Sequence, residues 1–320
     1  MIAVFVLKRI GAGVVLLLVL SFLVFSLLSL SPGTPLQALL GTRTASPELI
    51  DSLNVRYHLN DPFIVQYGRW LGDVVRLDLG SSISVQSGTA VGDILGERLA
   101  LTAELALYAL LLVVTVGLPL GMAAGIRRGR RLDRAVSLGA TMAISAPAFV
   151  MAIVLLYIFG VALQWFPVYG TGTGFTERVS HLTLPAVTLA TVLSAVLIRQ
   201  TRAAMMNVMS QDYVAFARLR GLSPRRILVR YALRNASLPV ITSLGLILVS
   251  LLSSTLFIEQ VFSLPGIGTL LLQAVTNTDV PVVQGTVLIL GAAVILINLA
   301  VDLLSLVFDP RVRLAAKEGA

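Results

Sequence analysis

LALYALLLVVTVGLPLGMAAGIRRGRR, residues 105–131, decides the fold class. Residues 105–126 carry no charge, and Arg127, Arg128, Arg130 and Arg131 follow at once. A helix crosses the roughly 30 Å hydrocarbon core with about 20 apolar residues, and basic residues collect at its cytoplasmic end. The stretch therefore reads as a span that finishes inside the cell. Working outward, the same test finds Ile10 to Leu30, Ala135 to Leu163, Leu182 to Ile198, Ala236 to Ile258 and Val282 to Val301. Composition agrees: of 320 residues, 57% are hydrophobic and 12% charged, with mean hydropathy +0.92. The segments are continuously apolar and lack the alternation of a membrane barrel strand. The first exceeds the about 7–15 residues of a signal-peptide core and is expected to be retained.

A net charge of +8 would raise nucleic acid as a partner in a soluble protein. Here three quarters of the 24 Lys and Arg fall in alternate loops: Lys8 and Arg9, the Arg127–Arg134 group, the arginines between Arg199 and Arg234, and the tail with Arg311, Arg313 and Lys317. The bias explains the charge as topology, with both termini cytoplasmic and no nucleic acid required. The absence of cysteine removes thiolate metal sites, disulfides and thiol nucleophiles. The two histidines, His58 and His181, stand in no metal-binding spacing. Neither of the two lysines, Lys8 and Lys317, belongs to a GK[ST] phosphate loop, so no ATP site of that kind is encoded.

The chain divides into a first span with its N-terminus (1–31), an outer region (32–98), a five-span core (99–310) with a cytoplasmic loop at 199–235, and a tail (311–320). Within the outer region, Pro47 to Leu79 has helical apolar spacing with Phe63, Tyr67 and Trp70. It reads as an aromatic helix resting on the bundle at headgroup level, with docking of an external partner as the alternative.

The cytoplasmic loop reads RQTRAAMMNVMSQDYVAFARLRGLSPRRILVRYALR, Arg199 to Arg234. Tyr213, Phe216 and Ala217 fall at i, i+3 and i+4 on a short helix starting near Gln211, with Asp212 at its positive end. Gly221 suits the left-handed turn that ends a helix. Ser223 and Pro224 read as N-cap and first residue of a second helix. Such a basic helix–turn–helix is shaped to be gripped by a protein or to lie on anionic lipid.

These residues carry a resemblance. The segment resembles the EAA coupling loop of ABC importer permeases, with Ala215, Phe216 and Ala217 at the three motif positions and Gly221 as the motif glycine. Only Ala217 matches the general form. Gln211–Val214, Ala217–Ser223 and Ala232–Asn235 are similar to the dipeptide/oligopeptide (peptide/nickel) branch. So are Arg56–Asp73, the FSLPGIGTLL that follows span five, and Asn298–Arg313. The resemblance implies an all-α polytopic membrane protein with six transmembrane helices, type I ABC importer permease-like, in the bacterial inner membrane. It further implies a peptide-importing half-pore, a second homologous permease subunit, two ABC ATPase subunits holding ATP and Mg, and an extracytoplasmic substrate-binding protein. Cofactors in this chain are expected to be none, and the chain itself is no enzyme. Asp212, Tyr213, Ala215, Phe216, Ala217, Arg218, Gly221 and Arg225 would then form the contact with the ATPase.

Glu104, Glu259, Asn298 and Asp302 lie in or near spans, where polar groups often mark a pathway, although interfacial or packing roles fit them equally. Pro119, Pro147 and Pro185 are candidates to bend spans, and Gly117, Gly121 and Gly125 to pack them closely. The alternatives are a permease for nickel, haem, glutathione or another small solute, an exporter of the same fold, and an ion-coupled secondary transporter.

Overall fold

The computed structural model describes residues 2–30, 46–47 and 61–308. Most of the first outer stretch, including Arg43, Arg56 and His58, and the tail with Arg311, Arg313 and Lys317 lie outside the described residues. Among the described residues the elements are helical: α1 (Ile2–Leu30), α2 (Phe63–Val75), α3 (Val91–Ile126), α4 (Arg131–Ser145) and α5 (Ala148–Leu155), which runs on as a π-helix, Leu156–Ala162. Then come α6 (Gly174–Met209), α7 (Asp212–Leu219), α8 (Pro224–Ile227), a second π-helix (Leu228–Leu233), α9 (Arg234–Val261), α10 (Ile267–Thr276) and α11 (Val280–Phe308). Two compact units divide the chain, the larger built on Ala103–Leu264 with the terminal stretches, the smaller on Lys8–Thr102 and Pro265–Ile295.

In the smaller unit, Phe63, Tyr67 and Trp70 recur at i, i+4 and i+7 and so share one face of α2. That face lies on Phe22 and Phe25 of α1, with ring centroids 5.2–5.9 Å apart. The Tyr67 hydroxyl is 2.9 Å from Ser21 Oγ. This is the packed aromatic helix expected from the spacing, present over Phe63–Val75, while residues 48–60 of the expected stretch lie outside the described residues. Elsewhere in the unit Asp279, fully buried, anchors the loop before α3. Ser82 Oγ donates to its carboxylate at 2.6 Å, and the backbone N–H groups of Ile83, Ser84 and Val85 donate at 2.9–3.2 Å. A carboxylate buried in this way is tolerable because one hydroxyl and three backbone N–H groups are aimed at it.

In the larger unit α3 and α6 run side by side in the same direction. Glu104 meets Arg178 at one end, Tyr108 meets Thr183 below it, and glycines 117, 121 and 125 face Leu197, Thr201 and Met205 in turn. Small residues at four-residue spacing let two backbones approach, since nothing projects from the facing side. A Cβ at Gly121 would lie 2.7 Å from Thr201 Cβ and 2.9 Å from the Ile198 carbonyl oxygen. At the basic end, Asp133 is 3% exposed and is held by the Arg202 guanidinium, whose Nη2 donates at 3.0 Å, and by the Gly129 N–H at 2.8 Å.

Because α3 and α6 are parallel, the intervening chain must return to the opposite end. That return is the third expected span, and it is broken: α4 and the helix of α5 with its π extension meet at 100°. Ala146 precedes Pro147 and takes an extended conformation (φ −88°, ψ 128°), because the proline ring disfavours a helical residue before it. The expected Ala135–Leu163 span is thus two segments joined by an elbow at Pro147, one of the prolines expected to bend the spans. Among the described residues five helices are long and apolar enough to cross a membrane, and the bent pair counted as one span gives six.

Candidate functional site

The basic loop expected at 199–235 begins later than its charge suggests. Helix α6 continues to Met209, well past Arg199, and at 36 residues it is about 54 Å long, more than the core requires. The chain then folds into a compact hairpin. Gln211, in extended conformation, precedes α7, and Asp212 occupies the first turn. At the other end Gly221 has φ +74°, and the N–H of Gly221 donates to the Arg218 carbonyl while that of Leu222 donates to the Ala217 carbonyl. This pair of bonds around a left-handed residue is the Schellman motif, and it turns the chain sharply. Ser223 Oγ accepts from the Arg226 N–H at 3.4 Å, and Pro224 opens α8. The capping expected from the sequence is present at both positions.

Hairpin faces are set by packing. Val214, Ala217 and Ile227 are buried together, with Met209 and Leu222 against them. On the opposite side Tyr213, Phe216 and Leu219 are exposed at i, i+3 and i+6, Phe216 by 64% and Leu219 by 83%. Ala215, Arg218, Arg220, Arg225 and Arg226 of the same hairpin are also exposed. Ala217 is thus separated from Tyr213 and Phe216: four residues from Tyr213 places it on the inner side once Val214 sets the orientation. Val214 and Leu219 were not singled out by the sequence reading. Leu219 was findable as the next apolar position three residues beyond Phe216.

The span carboxylates are not gathered into one site. Glu104, more than three turns into α3, pairs with Arg178 Nε in the second turn of α6 at 2.7 Å, with both side chains partly exposed. Glu259 is fully buried near the end of α9, Asp302 is half-buried, and Asn298 one turn before it is exposed. Between α3, α4 and α6 lies a mostly apolar cavity of about 300 Å³, lined in part by Val116, Gly139, Ala143, Thr191 and Ser194. Among the described residues no group of three or more His, Asp or Glu could hold a metal ion.

The sequence profile of the binding-protein-dependent transport system inner membrane components matches residues 117–314, and that of their N-terminal region matches residues 1–106. The chain belongs to this permease family. Over 313 residues the permease is 36% identical to the dipeptide transport system permease protein DppB of Bacillus subtilis, covering 98% of this chain and 99% of that protein. It is 34% identical, again over 313 residues, to the probable peptide ABC transporter permease y4tP of Sinorhizobium fredii, covering 97% and 99%. Its fold is similar to that of the MetNI methionine ABC transporter in an inward-facing conformation, with TM-score 0.58, 17% identity, and 68% of this chain and 96% of that chain covered. The permease is accordingly an all-α, multi-pass membrane protein of the type I importer class, the class expected from its motifs.

Proposed function

We propose that this permease forms one half of the translocation pathway of a peptide importer and that the α7–α8 hairpin couples it to a separate ATPase subunit. The carrying observation is the exposed Tyr213, Phe216 and Leu219 face, held outward by the buried Val214, Ala217 and Ile227. An exposed apolar strip on a capped, arginine-rich hairpin fits insertion into a cleft better than it fits water. The relatives named for peptide or dipeptide transport, aligned over nearly the whole chain, support di- or oligopeptides as the cargo class.

On this reading ATP and Mg are bound and hydrolysed by two cytoplasmic ATPase subunits, and a second, homologous permease completes the pore. An extracytoplasmic binding protein delivers the peptide, and the assembly resides in the bacterial inner membrane. Asp212, Ala215, Arg218 and Arg225 edge the contact, while Gly221 sets the turn that presents it. ATP-driven closure of the ATPase pair would move the hairpins as rigid bodies with the helices they join.

The test is recovery of partners with the tagged chain, followed by Phe216→Glu with Leu219→Glu. The wild type is expected to bring down a second permease and P-loop ATPases with peptide-stimulated hydrolysis. The charged variant should lose the ATPases and keep the other permease. Retention of the ATPases by that variant would refute the docking face.

A further inference from the structure

The hairpin reaches the fifth span by two routes. Along the chain, from α7 to α9, lie the left-handed turn at Gly221, the single turn of α8 and the π-helix Leu228–Leu233. Both the glycine turn and the π segment are compliant, since a π turn carries one residue more than the regular ladder and concentrates at places where helices change shape. The second route is made of side chains. Asn235, the second residue of α9, donates through Nδ2 to the Tyr213 hydroxyl at 3.1 Å and to the Tyr231 carbonyl at 2.8 Å. The Tyr213 and Tyr231 rings stack with centroids 6.5 Å apart and planes 26° from parallel. Tyr213 lies in the first turn of α7, so Asn235 spans the two helix starts and bypasses everything between.

We propose that Asn235 is a positioning residue, a strut that ties the first turn of the docked helix to the first turn of span five so that movement of the hairpin is delivered to the membrane. The proposal rests on the docking reading. The remaining ties do not duplicate it. Val214, Ala217 and Ile227 bind α7 to α8 and to the end of α6, while Ala232 and Ala236 bind the start of span five to Ala204, Met205 and Val208 of α6. With the strut removed, α7 reaches α9 through the compliant turns, through α6, or through the Tyr213–Tyr231 stack, which ends on the compliant π segment and not on α9, and a displacement of α7 is absorbed before it reaches the fifth span. Asn suits this place because one amide nitrogen carries two donor hydrogens, one for its own helix and one for the neighbour.

The experiment uses the complete transporter in proteoliposomes, with its ATPases, second permease and peptide-loaded binding protein. Uptake, hydrolysis and retained ATPase are measured per assembled complex. Asn235→Ser is the principal variant: its hydroxyl still reaches the Tyr231 carbonyl one turn back, as serine does in helices, but not Tyr213. Expected is retention of the ATPases with peptide moved per ATP lowered about threefold or more. Asn235→Ala should give the same ratio, and adding Tyr213→Phe to either should lower it no further, because both changes remove one bond.

A purely structural role would reduce uptake and hydrolysis together and leave their ratio unchanged. An unchanged ratio in Asn235→Ser, or independent multiplying losses in the double variant, would overturn the strut. Should Phe216→Glu with Leu219→Glu keep the ATPases bound, the docking reading fails instead, whatever Asn235 does.

Discussion

Replacing Gly121 with alanine adds one methyl group at the point where α3 and α6 touch. The new Cβ would stand 2.7 Å from Thr201 Cβ and 2.9 Å from the Ile198 carbonyl oxygen, one of them backbone. Ordinary carbon contacts are about 3.5–4.0 Å, so the helices must part by about 1 Å. Overpacking of this kind costs about 1–3 kcal/mol, while alanine in a helix returns up to about 1 kcal/mol over glycine. The net expectation is a loss of up to about 2 kcal/mol. Gly139→Ala is the matched control, since nothing lies within 4 Å of its added Cβ and only the helical gain applies. Gly117→Ala should fall between, because the atoms it meets at 3.0–3.3 Å belong to the movable Leu197 side chain. Thermal unfolding of the purified permease, followed by tryptophan fluorescence, reads the order: Gly139→Ala at or above wild type, then Gly117→Ala, then Gly121→Ala lower by several degrees. Equal midpoints for Gly121→Ala and Gly139→Ala would refute the close-packed seam.

Other sites carry their own expectations. Asp133→Asn weakens the clasp on Arg202 and should cost about 1–3 kcal/mol, discounted because Arg202 remains partly in solvent. A double-mutant cycle with Arg202→Met in the same melting assay should recover most of that as coupling, and additive losses would show that the pair does not interact. Gly221→Ala forces a side chain onto φ +74° at a cost of about 1–2 kcal/mol. Gly221→Trp is further expected to separate ATP hydrolysis from uptake while the protein stays in the membrane, so normal uptake by that variant would contradict the assigned turn. Asp279→Ala leaves three backbone N–H groups without their acceptor and should cost about 3 kcal/mol or more. Hydrogen exchange at Ile83, Ser84 and Val85 should accelerate, and unchanged protection there would show that the carboxylate does not hold the loop.

The spans were legible because hydrophobic length and arginine placement are local signals, and a lipid solvent leaves few alternatives to a helix. The hairpin ends were legible for the same reason, since Gly221, Ser223 and Pro224 act on their own backbones. What failed to show was long-range. Nothing in residues 127–134 distinguishes Asp133 as the partner of Arg202, which lies on another helix. The elbow at Ala146 was visible as a proline but not as a break, since Pro119, Pro185 and Pro239 lie inside helices that continue through them. Ala217 was put with Tyr213 and Phe216 because i+3 and i+4 both read as one face. Only the burial of Val214 decides which way that face divides.

The elbow at Pro147 has one more implication. The last carbonyls of α4 have no following helical turn to supply their N–H partners, and proline donates none of its own. A carbonyl left bare in hydrocarbon costs several kcal/mol. At hydrocarbon depth such an elbow calls for polar company, from a side chain such as Ser145, whose hydroxyl donates to the Thr141 carbonyl, from water or from another polypeptide. A bend of this kind turns a run of apolar sequence into a corner that lipid alone does not suit.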